Sequence, residues 1–345
     1  MSCGAVAQDA VPLAEVARRA VEDVFRPGFA AYAEATAQLD ASFDTLCAAP
    51  GGDTLEISRD AFAETVAAWS RIELYSIGPL REDNRSEHIL FWPDRKGIAL
   101  RQVQQILAEA DETATDPATL MGKSVAVQGL GALEYLLWGT GAESLAGAEG
   151  GFRCRYAGAI GTLLAGTAAE MSAQWDDPMG ISKRLISPTD SDPDYRNPRE
   201  VAEELSGLLA HGVELIRDQR LLPFLGRDGA PAKPKSALFW RSGLTAASVA
   251  GNFEGLETLF QGSGLDVAGG AENAWVANTG GFEFRNAERG LALLTKPVEQ
   301  ALADPKQRHA YDYLVLVTQS LGTILGENLP AALGLSVGFS SLDGD

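Results

Sequence analysis

The chain has 345 residues, is 46% hydrophobic, and carries 47 acids against 28 bases for a net charge of −19. Its length suits two cores of ordinary size, and its acidity repels the phosphates of nucleic acid and anionic lipid. No apolar run reaches the roughly 18 residues that a membrane-spanning helix needs, so the chain is not read as transmembrane.

In chain order, Ala5-Val6-Ala7 before Gln8 reads as the small-residue end of a secretory signal, the alternative being ordinary alanine-rich sequence. Leu13, Val16, Ala17, Ala20, Val21 and Val24 predict an amphipathic helix over 9–25, interrupted at Pro27-Gly28. Phe29, Tyr32, Thr36, Leu39, Phe43 and Leu46 then recur at steps of three and four, a bundle seam lasting to the Pro50-Gly51-Gly52 turn. Ser58 is expected to cap the next helix, where Phe62, Val66, Trp69 and Glu73 share a face before Gly78-Pro79. Glu73 is thus an acid on an apolar stripe, to be paired with a base such as Arg71, Arg81 or Arg101 or left for a ligand. Residues 80–97 read as an irregular connection whose Phe91-Trp92-Pro93 packs over a bundle end, and helix resumes from Ile98 to Ala110.

In the stretch Val127 to Gly139, VQGLGALEYLLWG, the residues Val127, Leu130, Leu133, Glu134 and Leu137 fall on one side of a helix. A carboxylate on a core face costs several kcal/mol unless it is paired, hydrogen-bonded or protonated, so Glu134 has an internal partner or awaits a ligand. From Gly151, Ile160, Leu163, Leu164, Ala168 and Met171 mark another helix, whose glycines and alanines imply close contacts. Ser187 to Pro198, with three prolines among Asp, Ser and Asn, is the expected linker between domains.

Beyond it, Val201, Leu205, Leu208, Leu209, Val213 and Ile216 form a bundle-type helix ending near Pro223. Thr245, Val249, Phe253, Leu256 and Phe260 line a second. Residues 271–296 and 299–329 supply two more, the first ragged and the last carrying Tyr311, Leu314, Val317, Leu321 and Leu325. The tail from Leu333 is too polar and glycine-rich to continue as helix. Without a run of β alternation, the fold class is all-α: two helical bundles, 9–186 and 199–345, joined by 187–198 and packed face to face. A helix bearing Trp69 and one introduced by Phe239-Trp240-Arg241-Ser242 stand in comparable places, which hints at an internal duplication.

Three histidines, His88, His211 and His309, have no partners at metal-ligand spacing, and there is no H-E-x-x-H, G-x-S-x-G, Walker-type or dinucleotide motif. Gly269-Gly270 and Gly280-Gly281 read as turn material. Cys3, Cys47 and Cys154 contain no C-x-x-C, which argues against thiolate metal or redox chemistry. With Cys3 in the segment that signal cleavage would remove, Cys47 and Cys154 remain as an even pair, either a disulfide or two buried free thiols. Glu73 and Glu134 are the candidate metal ligands: with carbonyls and waters they would make an oxygen-rich site for iron or another divalent cation. The alternative is that Arg101 or Arg241 locks these acids to fix helix register.

AWSRIELYSIGP, HILFWPD, VQGLGALEYLLWG, RSGLTAASVAGNFEGL and the closing GFSSLDGD together make the chain resemble the imelysin-like family over nearly its whole length. The resemblance implies an exported bacterial protein, periplasmic or on the outer surface and free or lipid-anchored, associated with iron uptake and built of two facing bundles with a pocket between. The family motif G-x-H-x-x-E falls on Gly129 and Glu134, but its histidine position is Gly131. By resemblance, Trp69, Glu73, Trp92, Arg241, Ser242 and Asn252 join Gly129, Gly131 and Glu134 as pocket residues. The family pattern also favours the Cys47–Cys154 disulfide. The expected function is an accessory protein of iron acquisition that binds a cation, a chelate, another small ligand or an iron-uptake component without catalysis. The competing expectation is an imelysin-type metallopeptidase acting through Glu134.

Overall fold

The computed structural model describes residues 10–94, 96–226 and 230–336. The signal-like Ala5-Val6-Ala7, Cys3 and the closing GFSSLDGD lie outside them. Among the described residues every regular element is a helix and no strand occurs, so the chain is all-α.

The first layer is an antiparallel trio, Arg26–Ala48, Gly52–Ile72 and Gly151–Asp176. The seam residues Phe29, Tyr32, Leu39, Phe43 and Leu46 are all completely buried, each side chain stabilising the fold by about 2 kcal/mol. At one end Trp175 stacks among Phe25 and Phe29, with ring centroids 4.9 and 5.5 Å apart. At the other end Cys47 and Cys154 form a disulfide with Cα atoms 5.6 Å apart. Gly161 sits against Phe43, where a Cβ would come within 2.9 Å of the ring, so the close contacts implied by the small residues of this helix are present.

The second half contributes Pro198–Glu214, Thr245–Glu257, Ala274–Leu291 and Pro305–Thr323. Asn197 caps the first of these through Arg199 and Glu200 N–H, and Asp304 caps the last. The connection 187–197 is not helical; Arg184 holds it through Asp192 and Asp194 at 2.7 and 2.6 Å.

One hydrophobic core runs through both halves. Thr245–Glu257 crosses Gly52–Ile72 at close range because Gly251 and Gly255, one turn apart, face Ser70 and Arg71. A Cβ on Gly255 would collide with the Arg71 carbonyl. The crossing is fastened by Tyr75 Oη donating to the Gly255 carbonyl (2.7 Å), by the Ser70 and Ser248 hydroxyls (2.9 Å) and by Arg71 on Glu254 (2.7 Å).

Three expectations are corrected. Pro27-Gly28 does not interrupt the first helix, because Ala20–Phe25 widens into a π turn that carries it into Arg26–Ala48. The same device recurs: Leu215–Leu221 and Ile324–Asn328 are π turns ending two residues before Pro223 and Pro330. The i→i−5 register rearranges the bonds just ahead of the residue that has no N–H to give. Ser58 is not a cap: the helix starts at Gly52, and Ser58 is buried inside it, its hydroxyl on the Ser42 and Thr54 carbonyls. Gly280-Gly281 is not a turn but the middle of Ala274–Leu291, where Gly280 admits the Phe260 ring.

Candidate functional site

The motif helix, Gly129–Trp138, follows an extended Gln128. Gly129 has φ +68°, and a Cβ there would strike the carbonyl oxygens of His88 and Ile89, so only glycine makes the start. Gln128 anchors this entry, its amide on the Leu120 and Lys123 carbonyls at 2.9 and 3.0 Å and its oxygen 3.1 Å from His88 Nδ1. Arginines close the far end: Arg59 donates to the Leu137 carbonyl at 2.8 Å, and Arg153 donates to Tyr135 and Thr140 carbonyls at 3.2 and 3.0 Å. The helix is buried on nearly every side and not along one stripe; Gly131 and Trp138 alone are half-buried.

Glu134 leaves this helix toward the second half. Its Oε1 accepts the Ser242 backbone N–H and lies 2.9 Å from the Ser242 hydroxyl, while Arg241 Nη1 is 3.9 Å from Oε2. Burial pushes the Glu134 pKa up, and the Ser242 hydrogen bonds and the Arg241 charge pull against it. A tight turn presents Arg241 and Ser242: Phe239 takes φ +55°, Leu244 N–H returns to the Phe239 carbonyl at 3.0 Å, and Thr245 Oγ1 holds the Leu238 carbonyl at 2.7 Å. Phe239 is buried edge-on against Phe62, which explains why a residue so rarely left-handed is held there.

Beside Glu134 opens a cavity of about 450 Å³. Its walls come from 91–94 and parts of 97–103, from Gly131, Glu134 and Tyr135, and from Asp218, Gln219, Pro223, Lys233 and 235–241 of the second half. Phe91, Trp92, Tyr135 and Trp240 give it aromatic surface, so Phe91-Trp92-Pro93 lines the cavity wall. Trp92 Nε1 donates to the Gln219 carbonyl 3.4 Å away, a carbonyl whose partner four residues on would be Pro223, which has no N–H to give. A Cβ built on Gly131 meets nothing within 4 Å, so the position where the motif carries histidine is open space.

Trp92, Gly131, Glu134, Arg241 and Ser242 therefore come together. Trp69, Glu73 and Asn252 do not join them: Glu73 and Asn252 form a separate buried cluster, and Trp69 packs on Tyr32 with ring centroids 5.5 Å apart. Arg220 donates to Glu73 through Nη2 (2.6 Å) and Nε (3.3 Å), and Asn252 Nδ2 bridges Glu73 Oε1 (2.6 Å) and the Ser70 carbonyl (2.7 Å). Neither Arg71, Arg81 nor Arg101 is the partner of Glu73: Arg71 meets Glu254, Arg81 meets Glu204, and Arg101 caps the Lys96 carbonyl. Of the two bases proposed to lock the acids, Arg241 is beside Glu134. Sequence reasoning missed Tyr135, Gln219, Lys235 and Arg220; Tyr135 stood in the motif stretch, while the rest carried no local signal.

The family model for imelysin matches residues 25–323. The chain belongs to the imelysin family. The fold of this imelysin-family chain is similar to that of an imelysin-like protein from Psychrobacter arcticum 273-4, at TM-score 0.74 and 21% identity over 96% of this chain and 100% of that one. It is also similar to a candidate iron-regulated protein A precursor from Parabacteroides distasonis, at TM-score 0.78 and 12% identity over 93% of this chain and 95% of that one. No curated protein matches.

For an imelysin, the donor set here does not fit a divalent cation. Glu73 lines no part of the cavity and is neutralised by Arg220, so Glu73 and Glu134 do not share a site. Glu134 faces hydrogen-bond donors and a guanidinium, which repel a cation. Among the described residues no group of three or more His, Cys, Asp or Glu is placed to hold a metal ion, and no helix is long and apolar enough to cross a membrane.

Proposed function

We propose that this imelysin-family protein is an exported, non-catalytic accessory of bacterial iron acquisition that binds a small ligand in the cavity beside Glu134. The observation that carries the reading is the open space at Gly131: the replacement of the motif histidine removes an imidazole and leaves room against a buried acid. A volume of about 450 Å³ is that of a small-molecule site. Walls drawn from both sides of the 187–198 connection support placing the site between two bundles, 9–186 and 199–345. The Cys47–Cys154 disulfide supports an oxidising compartment such as the periplasm or outer surface. The name of the Parabacteroides protein supports a link to iron.

The test is twofold. Pure protein is incubated with unfolded protein substrates with and without chelator, and no cleavage is expected. Chelator-sensitive cleavage that disappears in Glu134→Ala would establish the peptidase reading instead. Secretion is read from fractionation of the native host, with the protein expected outside the cytoplasm.

A further inference from the structure

We infer that the cavity takes a flat organic anion, an aromatic carboxylate, and not a bare cation; the inference rests on the proposed ligand role of this cavity and names the class of ligand.

The charges in the lining decide it. Three acids are present, and each is already committed. Asp94 spends Oδ1 and Oδ2 on the backbone N–H groups of Ile98 (2.7 Å) and Ala99 (2.9 Å), opening the Ile98–Glu109 helix. Glu134 is held by Ser242, and Asp218 is bound by Arg217 at 2.7 Å. The three cations of the lining are Lys233, Lys235 and Arg241. Among the described residues the lysines have no carboxylate within ion-pair distance, and Arg241 has only Glu134 at 3.9 Å. Acids and cations balance in formal charge, so what an entering anion meets is two exposed lysines with no carboxylate partner among the described residues and a guanidinium 3.9 Å from Glu134.

Aromatic surface surrounds that charge. The Arg241 guanidinium lies 4.6 Å from the Trp240 ring centroid and 5.5 Å from that of Tyr135, and Lys235 Nζ is 5.3 Å from Trp240. Rings this close to the guanidinium restrain it by cation–π attraction, and its N–H groups are the kind that pair with the two oxygens of a carboxylate. Phe91 and Trp92, which line the same cavity, supply surface for a ring attached to that carboxylate.

Titration calorimetry with sodium benzoate, cyclohexanecarboxylate, inorganic phosphate and calcium chloride tests the class. Benzoate is expected to bind, at least several-fold more tightly than cyclohexanecarboxylate or phosphate. Its affinity should fall at least tenfold in Arg241→Gln, fall less in Arg241→Lys, and vanish in Gly131→Leu, which fills the space beside Glu134. Circular dichroism and melting of each variant verify folding, and the Arg241→Gln and Arg241→Lys comparison carries the test if Gly131→Leu does not fold. Equal affinity for the ring and its saturated analogue, or benzoate binding indifferent to Arg241→Gln, overturns the assignment. A calcium isotherm abolished by Gly131→Leu, with none for benzoate, refutes the anion while leaving the cavity a ligand site. Silence from every probe refutes the anion class, and the ligand role falls separately if native-host extract yields no small molecule that Gly131→Leu fails to retain.

Discussion

Glu73 and Arg220 meet at 2.6 Å across 147 residues of sequence, each side chain only 4% exposed. The pair ties the end of the Gly52–Ile72 helix to a π turn of the second half. Removing one partner strands a buried charge: Arg220→Met is expected to destabilise the protein by about 3–5 kcal/mol. Adding Glu73→Gln to it should recover much of that loss, because both charges are then gone. Urea unfolding midpoints of the two variants measure the difference, and equal losses in both would show that packing, not charge, is at stake.

Gly129 and Gly131 are two residues apart and should respond to alanine in opposite ways. Gly129→Ala places a methyl on two carbonyl oxygens at a left-handed φ, and loss of the folded state is expected. Gly131→Ala enters open space inside a helix and should add about 0.5–1 kcal/mol. Thermal melts suffice, and a destabilised Gly131→Ala would contradict the free volume beside Glu134.

The disulfide closes a loop with 107 residues of sequence separation. Replacing Cys47 and Cys154 together by alanine should cost about 4–5 kcal/mol. Thiol counting on denatured full-length chain is expected to find one thiol, that of Cys3, before reduction and three after it. Two thiols, those of Cys47 and Cys154, in unreduced protein secreted into an oxidising compartment would refute the bridge.

Glu134 predicts a pH dependence of known sign. Its folded pKa is raised by burial, so its contribution to stability is fully present below the ordinary carboxylate pKa of 4.5 and is lost as pH rises through the folded value. Glu134→Gln keeps an oxygen for the Ser242 N–H and does not ionise. The variant should therefore gain stability over the parent at neutral pH and show no such gain near pH 4, as read from melting temperatures across that range.

The helical layers were legible from the sequence because the seam residues repeat at the helical period and no β alternation competes. Phe29 to Leu46 and Tyr311 to Leu325 fall where the spacing puts them, on the core side. The burial of Glu134 was legible for the same reason. Its partners were visible only as residues of another matching stretch, since nothing local connects position 134 to Ser242. Arg220 was unreadable: a π turn rotates the residues after Ile216, so a pattern counted at 3.6 residues per turn misplaces Asp218, Gln219 and Arg220. Prolines misled in the same places. Pro27 reads as a helix stop under the ordinary bonding register, and it becomes tolerable once the turn before it adopts a wider one.

The glycine crossing of Thr245–Glu257 over Gly52–Ile72 also bears on how a ligand arrives. Backbone lies directly on backbone there, pinned by Tyr75 and two serines, with no layer of long side chains on which one helix could slide over the other. With the crossing pinned in this way, the proposed ligand cavity is expected to behave as a socket with a fixed bore and not as a jaw. Capture then costs little ordering of the protein, and the observed association rate should rise linearly with ligand concentration without reaching a plateau.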